Sequence, residues 1–349
     1  MSRALVLTTV HQADDPRIRE RTIESLARDF DVTYASAGPG PSDATGFEWL
    51  ELRGGRVRRW WQGLRLLSSN RFSVASVHDP ELIPAILLVR LLRRRVVFDV
   101  HENVPAQMRH KTWVLRPLRP FMAGISHLLL RMVARFAAVT LAESGYATLF
   151  RREHPVFPNY APAGMLPDAA RDEGYLIYVG DVTEKRGALD MVEVAAVLEP
   201  RRPLLVVGRC PDMLARQMSL AAEAAGVDLS LTGNLPHLEA MGRMANASIG
   251  LSLLRSHPNE AGSMPTKVIE YLQMGIPVVA SDLPGTAAAV EGLAAVALVP
   301  PGDTAAAAEA IARVVGQRGQ SAAQAGAMRA RMFWPDEEVR SFYRAVARP

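Results

Sequence analysis

Short apolar runs alternate along the chain with stretches in which apolar residues recur at helical spacing. In the first half, the runs predict strands near Ala4–Val10, Asp31–Ser36, Phe72–His78, Val96–His101, Ala137–Ala142 and Pro155–Phe157, with helices beginning near Pro16, Val57, Pro80 and Leu115. In the second half, they predict strands near Tyr175–Gly180, Pro203–Gly208, Asp228–Thr232, Ala247–Leu254, Pro277–Ser281 and Ala295–Val299, with helices beginning near Gly187, Pro211, Pro236, Pro265 and Asp303.

Strict alternation of this kind predicts parallel sheets with helices on both faces. Two sets of about six strands favour two doubly wound α/β domains over one very wide sheet. Residues 158–173 are rich in Pro, Ala and Asp and have no apolar periodicity, which is typical of a linker. We therefore expect one domain over 1–165 and a second over 166–335.

The stretch GSMPTKVIEYLQMGIPVVAS, residues 262–281, carries two charges on one side of a short helix. Pro265 suits the first turn of a helix, and Gly275 suits the position just after its end. Lys267 and Glu270 lie three residues apart, beside the apolar face. The preceding loop, 255–264, opens at the carboxyl edge of the sheet, where open α/β sheets bind ligands. The pair is either a solvated ion pair or part of a ligand site.

The first loop of the second domain is also basic. An apolar strand ends at Gly180, and Lys185 and Arg186 follow just before a helix begins at Gly187. Backbone N–H groups at a helix N-terminus favour anions, and a guanidinium can bind a phosphate through two hydrogen bonds. A phosphate site and a solvated loop both fit this segment.

Polar clusters also end strands in the first domain. Val96–Val100 is followed by His101, Glu102 and Asn103, and an earlier strand ends at His78. A cluster at a carboxyl edge favours a functional site, although His101 can also be a histidine satisfied within the structure.

Two more polar segments are candidates for binding. HQADDPRIR, 11–19, follows the first strand, so His11 and Arg17 either face the ligand edge or water. RGGRVRRWWQGLR, 53–65, mixes arginines with Trp60 and Trp61. That mixture fits an anionic membrane surface or a helix packed on its own domain. The aromatic residues are too sparse for a nucleic-acid stacking platform, so no nucleic acid is expected.

The distribution of charge along the chain indicates the class of partner. The formal net charge is +4 over 349 residues; residues 1–165 carry a net +8 and the remainder carries −4. A basic half favours an anionic partner.

One cysteine, Cys210, excludes an internal disulfide and indicates a cytoplasmic location. No dinucleotide fingerprint, P-loop or zinc-helix motif occurs, so we expect no cofactor and no metal site.

Several of these segments together resemble the retaining glycosyltransferases of the GT-B fold, the large group 1 (fourth) family. GSMPTKVIEYLQMGIPVVASDLPG resembles the E-x7-E region of that family, and YVGDVTEKRG resembles its phosphate loop. HDPELIP and VVFDVHENVP are similar to first-domain motifs of a subgroup that builds bacterial surface polysaccharides and glycolipids. The resemblance implies two Rossmann-like domains facing across a cleft, with the last helix, 336–347, packing back on the first domain.

The resemblance also implies roles for single residues. Glu270 would hold the nucleotide ribose, Arg186 with Lys185 would bind the diphosphate, and His101 would lie near the donor sugar. The implied donor-binding set is Lys185, Arg186, Gly233, Asn234, Leu235, Glu260, Gly262, Thr266, Lys267 and Glu270. The implied catalytic set is His101, Arg186, Lys267 and Glu270, and the acceptor side comprises His11, Arg17, His78, Glu102 and Asn103.

The sequence departs from the family pattern at two positions. Gly262 stands where the first glutamate of E-x7-E falls, with Glu260 and Asn259 close by. Asp181 stands where an arginine is common after the phosphate-loop glycine.

The resemblance implies metal-independent transfer of a sugar, with retention, from a UDP, GDP, ADP or dTDP donor to a hydroxyl acceptor. A lipid-linked acceptor would place the protein at the inner face of the membrane, within cell-surface polysaccharide synthesis. A nucleotide-sugar 2-epimerase of the same architecture and a non-catalytic nucleotide-sugar-binding partner stay open as alternatives.

Overall fold

The computed structural model describes residues 1–41, 43–111, 114–168, 171–255 and 266–348. The chain forms two compact units. The first comprises Met1–Pro162 and Trp334–Pro349, and the second comprises Ala163–Phe333. No helix of the described residues is both long enough and apolar enough to cross a bilayer.

The first unit is built on a six-stranded parallel sheet. Its order is β3-β2-β1-β4-β5-β6, so the chain reverses its direction of winding between β1 and β4. The strands are β1 (Ser2–Leu7), β2 (Phe30–Ala37), β3 (Glu48–Leu52), β4 (Val74–Val77), β5 (Val96–Val100) and β6 (Ala138–Leu141). The four central strands are almost fully buried, because helices cover both faces of the sheet.

Two layers of helix cover this sheet. A π-helical segment, Arg17–Ile23, continues into α1 (Glu24–Leu26) and packs on one face. The other face carries α2 (Arg56–Ser68), α3 (Ile83–Arg90) and α5 (Arg119–Phe136), while the short α4 (Val104–Met108) follows β5. Short 3₁₀ segments span Pro80–Leu82, Arg116–Leu118 and Ser144–Leu149.

The second unit repeats this topology. Its order is β12-β11-β10-β7-β8-β9, which places the reversal between β10 and β7. The strands are β7 (Leu176–Val179), β8 (Leu204–Val207), β9 (Leu229–Gly233), β10 (Ile249–Ser252), β11 (Val278–Ser281) and β12 (Val296–Val299). The helices are α6 (Ala188–Val197), α7 (Asp212–Ala225), α8 (His237–Ala245), α9 (Thr266–Gln273), α10 (Pro284–Val290), α11 (Thr304–Val314) and α12 (Arg318–Arg331), with 3₁₀ segments at Glu184–Arg186 and Val315–Gln317.

The last helix, α13 (Asp336–Ala347), packs with the first unit. Its apolar face buries Val339 and Tyr343, and Trp334 just before it is also buried. On the polar side, Arg340 and Arg344 both donate to the carboxylate of Asp29.

The predicted doubly wound α/β class is confirmed, with six parallel strands in each sheet. The membership of the first sheet differs from the prediction. Residues 155–157 make one isolated bridge, between Leu141 and Val156, because Pro155 and Pro158 bound the segment and limit its pairing. The strand that completes the sheet in its place is β3, an edge strand that the sequence pattern did not predict because two glutamates interrupt its apolar residues.

Candidate functional site

The carboxyl ends of β7 and β10 flank the reversal point of the second sheet. The loop after β7 runs through Gly180 to Gly187, and the residues after β10 lead to Arg255. Gly187 has a φ of +73°, and a Cβ there would overlap the carbonyl oxygen of Leu253. Only glycine therefore allows this loop to turn into α6 so close to the end of β10.

Lys267 and Arg186 lie together beside the backbone of Gly180. A Cβ placed on Gly180 would lie 2.9 Å from Lys267 Nζ and 3.6 Å from Arg186 Nη1. The two residues come from different loops, since Lys267 is in the first turn of α9 and Arg186 precedes α6. The sequence predicted both as cations of one site, and the structure brings them together.

A tyrosine supports the lysine. Lys267 Nζ donates to the hydroxyl of Tyr178 at 3.1 Å and lies 4.2 Å from the centre of its ring. The Tyr178 hydroxyl donates in turn to the carbonyl oxygen of Asp181 at 2.8 Å. Burial, followed by the charge of Arg186, lowers the pKa of Lys267 to about 7. Two crowded cations in a partly buried site are a favourable environment for an anion.

Tyr271 forms the layer beneath. Its hydroxyl accepts a hydrogen bond from the N–H of Val179 at 3.1 Å, and its ring lies against Gly250 so closely that a Cβ would overlap it. Sequence reasoning missed Tyr178 and Tyr271 as parts of the site. The signal was present in the helical spacing, since Tyr271 follows Lys267 by one turn of α9.

A second pair of residues, Arg255 and Asp190, joins the segment after β10 to α6, and sequence reasoning missed it as well. Arg255 donates to both oxygens of Asp190 on α6, at 3.0 and 2.5 Å. The N–H of Arg255 donates to the carbonyl oxygen of Lys185 at 2.8 Å. These bonds fix the loop that carries Arg186 against the end of β10.

The remaining predicted donor residues are distributed along the same edge. Glu270 and Thr266 are half-buried on α9, and the charge of Glu270 favours the protonated form of Lys267. Gly233 ends β9, two strands from β7, so Asn234 and Leu235 follow at the far side of the edge. Lys185 is exposed. Asn259, Glu260, Gly262 and the expected helix start at Pro265 lie outside the described residues.

The first unit has a second polar cluster at its own reversal point. Asp79, which follows β4, is buried and accepts from the hydroxyls of Thr8 at 3.1 Å and Thr9 at 3.0 Å. The N–H of Thr9 also donates to Asp79. This network shapes the loop that presents His11 beside His101.

The hydrogen bonds of His11 and His101 are satisfied by one positive charge on the pair. The Nε2 atoms are 2.9 Å apart, His11 Nδ1 is 3.2 Å from Asp15 Oδ2, and His101 Nδ1 is 3.2 Å from the carbonyl oxygen of Asp99. Both outer partners accept, so each Nδ1 carries a hydrogen, and a third hydrogen joins the Nε2 atoms. Three protons on four ring nitrogens give the pair one positive charge.

Electrostatics place that charge on His11. Burial lowers the pKa of His11, but the hydrogen bond and charge of Asp15, with Asp79 and Glu102, outweigh it and raise the pKa. Burial lowers the pKa of His101. Burial raises the pKa of Asp15, yet His11 and His101 bring it down to about 2.

The structure places Arg17 and His78 inside the unit instead of at the ligand edge or in water. Arg17 is buried and donates to both oxygens of Asp99 at 2.7 and 2.8 Å. His78 is buried between Ser76 and Asp99. Neither side chain is therefore available to bind a ligand at the surface. The charge of Arg17 compensates the buried carboxylate of Asp99. Although burial raises the pKa of Asp99, Arg17 holds it well below the usual range.

Glu102 and Asn103 lie on the loop after β5. Glu102 is exposed, and the Asn103 side chain accepts from the N–H of Ala106 at 3.1 Å, which caps α4. Asn103 therefore has a structural role beside any role in binding.

One described cluster has ligand atoms close enough to hold a metal ion. Each of His78, Asp99 and His101 contributes one ligand atom, and these three atoms all lie within 4.8 Å of one another. Asp99 already accepts from Arg17 and from the hydroxyl of Thr140, so a cation here would lie beside a buried guanidinium. We therefore interpret the cluster as part of the ion-pair network.

Comparisons with known proteins agree with this fold. Residues 173–317 match the profile of the family "Glycosyl transferases group 1". The structure of Anabaena Alr3699/HepE, solved with UDP-glucose, superposes with a TM-score of 0.76 at 14% identity, over 99% of each chain. Sucrose-phosphate synthase from Thermosynechococcus elongatus gives 0.71 at 14% identity, over 99% of this chain and 96% of the other.

WaaG, a glycosyltransferase of lipopolysaccharide biosynthesis, gives a TM-score of 0.71 at 13% identity, over 98% of this chain and 99% of the other. No curated protein matches the chain in sequence. The profile match supports glycosyltransferase activity, and the solved structures support the fold. The chain thus has the predicted GT-B fold, and residues 173–317 of its second unit match the profile of the group 1 glycosyltransferases.

Proposed function

We propose that the protein transfers a sugar from a nucleotide diphosphate sugar to an acceptor hydroxyl, with retention and without a metal. The observation that carries the proposal is the convergence of Lys267 and Arg186 beside Gly180, at the reversal point of the second sheet. A diphosphate supplies two negative charges for these two cations. The solved complexes of HepE with UDP and UDP-glucose support a donor of this class.

The same cations would assist the chemistry. Negative charge grows on the diphosphate as the bond to the sugar breaks, and preoriented cations in a partly buried site stabilise that charge. Glu270, one turn along α9, would accept hydrogen bonds from the ribose hydroxyls. Gly233, Asn234 and Leu235 would lie beside the base, and Lys185 and Thr266 would border the phosphates.

We assign the sugar and acceptor chemistry to the polar edge of the first unit. His101, with its charged partner His11, would orient donor-sugar hydroxyls there, and Glu102 would meet the acceptor. Arg17 and His78 would act through Asp99 by holding His101 in place. Retention, a role in cell-surface polysaccharide synthesis and a lipid-linked acceptor at the inner membrane face complete the proposal, supported by the resemblance of 262–285 and 96–105 to that family.

The test begins with a thermal-shift screen of UDP-, GDP-, ADP- and dTDP-sugars, because a bound donor stabilises the folded state by mass action. Release or transfer of labelled sugar is then measured with the best donor. Arg186→Ala should cost about 2–4 kcal/mol in kcat/KM, the size of a lost transition-state donor. Glu270→Ala should cost about 1.5–3 kcal/mol in kcat/KM, because a charged acceptor for the ribose hydroxyls is lost. Arg216→Ala, an exposed arginine on α7, is the matched control.

Near-normal kcat/KM in both site variants would refute the assignment. Product analysis separates the alternatives: an epimerase would convert the donor sugar without an acceptor, and a binding partner would leave the donor intact.

A further inference from the structure

Helix α5 exposes a continuous apolar stripe. Its exposed apolar side chains recur every three or four residues, at Phe121, Ile125, Leu128, Met132 and Phe136, and are 37–65% exposed. At 100° per residue, this stripe lies opposite the buried residues Ala123, Leu130 and Val133. The helix is therefore apolar on its outer face as well as on its core face.

The stripe continues onto neighbouring elements. The 3₁₀ turn before α5 exposes Leu115 and Leu118, and the end of α3, which packs against α5, exposes Leu88, Leu91 and Leu92. Leu91 and Leu115 are 83% and 71% exposed. Soluble surfaces rarely carry apolar side chains grouped in this way, and such patches mark interaction sites.

Basic residues border the stripe and acidic residues are absent from it. Residues 104–142 contain six arginines and lysines and no aspartate or glutamate. Arg116, Arg131 and Arg135 are exposed, and none of them forms an ion pair with a residue that the structure describes. Arg131 and Arg135 lie beside the apolar stripe on α5. A single partner surface can therefore contact the arginines and the apolar side chains together.

We propose that this face, defined as the outer surfaces of α3 and α5 with the turn at 115–118, docks on an anionic lipid bilayer. Apolar side chains would enter the acyl boundary while the arginines contact lipid phosphates, with the helix lying in the interface plane. A second copy of this chain fits poorly, because a self-complementary contact would place basic residues against basic residues. Nucleic acid would leave the apolar stripe without a partner.

The α2 helix extends this surface in part. Trp60 packs inward and donates its indole N–H to the carbonyl oxygen of Glu81 at 3.0 Å, but Trp61 is 60% exposed. Because α2 packs beside α3 on the same face of the sheet, Trp61 can anchor the rim. The docking surface belongs wholly to the first unit, so it stands or fails independently of the proposed donor site.

The test is co-sedimentation of the whole chain with vesicles, either phosphatidylcholine alone or equal parts of phosphatidylcholine and phosphatidylglycerol. We expect binding to the anionic vesicles that weakens with salt and is weak on the neutral ones. Arg131→Glu with Arg135→Glu should weaken partitioning roughly tenfold or more. Phe121→Asn with Leu128→Asn should weaken it to a similar extent, with an unchanged circular-dichroism spectrum and melting temperature.

Matched controls lie on the second unit. Arg216→Glu with Arg313→Glu makes the same charge change, and Met213→Asn with Leu220→Asn makes the same polarity change, at exposed positions. Both control pairs should bind like the parent. Equal binding of the parent to both vesicle types, no binding, or normal binding by the Arg131/Arg135 pair would overturn the proposal. So would a dimer, seen by sedimentation velocity, that the Phe121/Leu128 pair dissociates.

Discussion

At the scale of single residues, burial and neighbouring charges shift the pKa of groups in both polar clusters. Lys267 has a pKa of about 7 in the folded chain, against 10.5 for an ordinary lysine, because burial and Arg186 disfavour its charge. A bound diphosphate would reverse both effects by placing negative charge beside the ammonium. Binding of a donor should therefore take up a proton.

We predict that UDP-glucose, or the donor found by screening, binds with uptake of close to one proton at about pH 8. Nucleotide diphosphate sugars have no phosphate that titrates near this pH, so the proton reports on the protein. Calorimetry in two buffers of different ionisation enthalpy measures the uptake, and Lys267→Met should abolish it. A buffer-independent binding heat in the parent would contradict the assignment.

The His11–His101 pair gives a second prediction at this scale. The folded pKa of His11 is raised above 6.5, so its charge adds stability that is fully present below about pH 6.5 and is lost as the pH rises through the folded value. Asp15, through its hydrogen bond and charge, is the main cause of the increase. Asp15→Asn should therefore lower the free energy of unfolding more at pH 6 than at pH 9.

Urea titrations at the two pH values measure this difference, and His11→Gln provides the control. Asp15 also accepts from the N–H groups of Arg17 and Ile18, a contribution common to both pH values. In the His11→Gln background, Asp15→Asn should cost the same at pH 6 and pH 9. An equal cost in the parent background as well would refute the charged pair.

Site residues could be predicted where their role follows from a single segment of the sequence. They were missed where their role depends on tertiary packing. Lys267 and Arg186 each follow a strand of the second sheet, and His101 follows a strand of the first, so the carboxyl edge of each sheet could be inferred. Tyr178 and the Arg255–Asp190 pair act through contacts between distant segments, which spacing does not reveal. Arg17 illustrates the reverse case, because a charged residue in a polar segment gave no sign of its buried partner Asp99.

At the scale of elements, loop geometry depends on glycine where strands and helices approach closely. Gly187→Ala should destabilise the second unit by about 2–4 kcal/mol, since it combines a left-handed backbone with overlap on Leu253. Gly242→Ala on α8 is the control and should be neutral or stabilising by up to about 1 kcal/mol, because its Cβ would meet open space. Denaturant midpoints compare the two, and a cost for Gly187→Ala no larger than that for Gly242→Ala would contradict the argument.

Strands were predictable where they form an apolar run, and β3 at one sheet edge was missed. Every strand of the second unit was predicted to within a few residues. In the first unit, β3 alternates exposed and half-buried residues and contains two glutamates, so its pattern does not stand out from a loop. The strand β3 was missed because its glutamates interrupt the apolar run that marks the other strands.

At the scale of the whole molecule, the chain returns from the second unit to complete the first. Deleting 334–349 would remove Trp334, Val339 and Tyr343 from the first core, a loss of about 5–9 kcal/mol at the usual value for a buried large side chain. We predict that the strands of the first unit lose hydrogen-exchange protection while those of the second keep theirs. Truncation after Ala347 is the control, and full protection in the longer deletion would contradict this account.

The claim on which the functional account rests is that the Gly180–Gly187 loop and Lys267 bind a diphosphate. A crystal structure of the protein with its best-binding sugar nucleotide tests that claim most directly. The account predicts both phosphates beside Gly180, within hydrogen-bond distance of Lys267 Nζ and the Arg186 guanidinium. Phosphates bound at any other edge, with Lys267 still bonded to Tyr178, would contradict it.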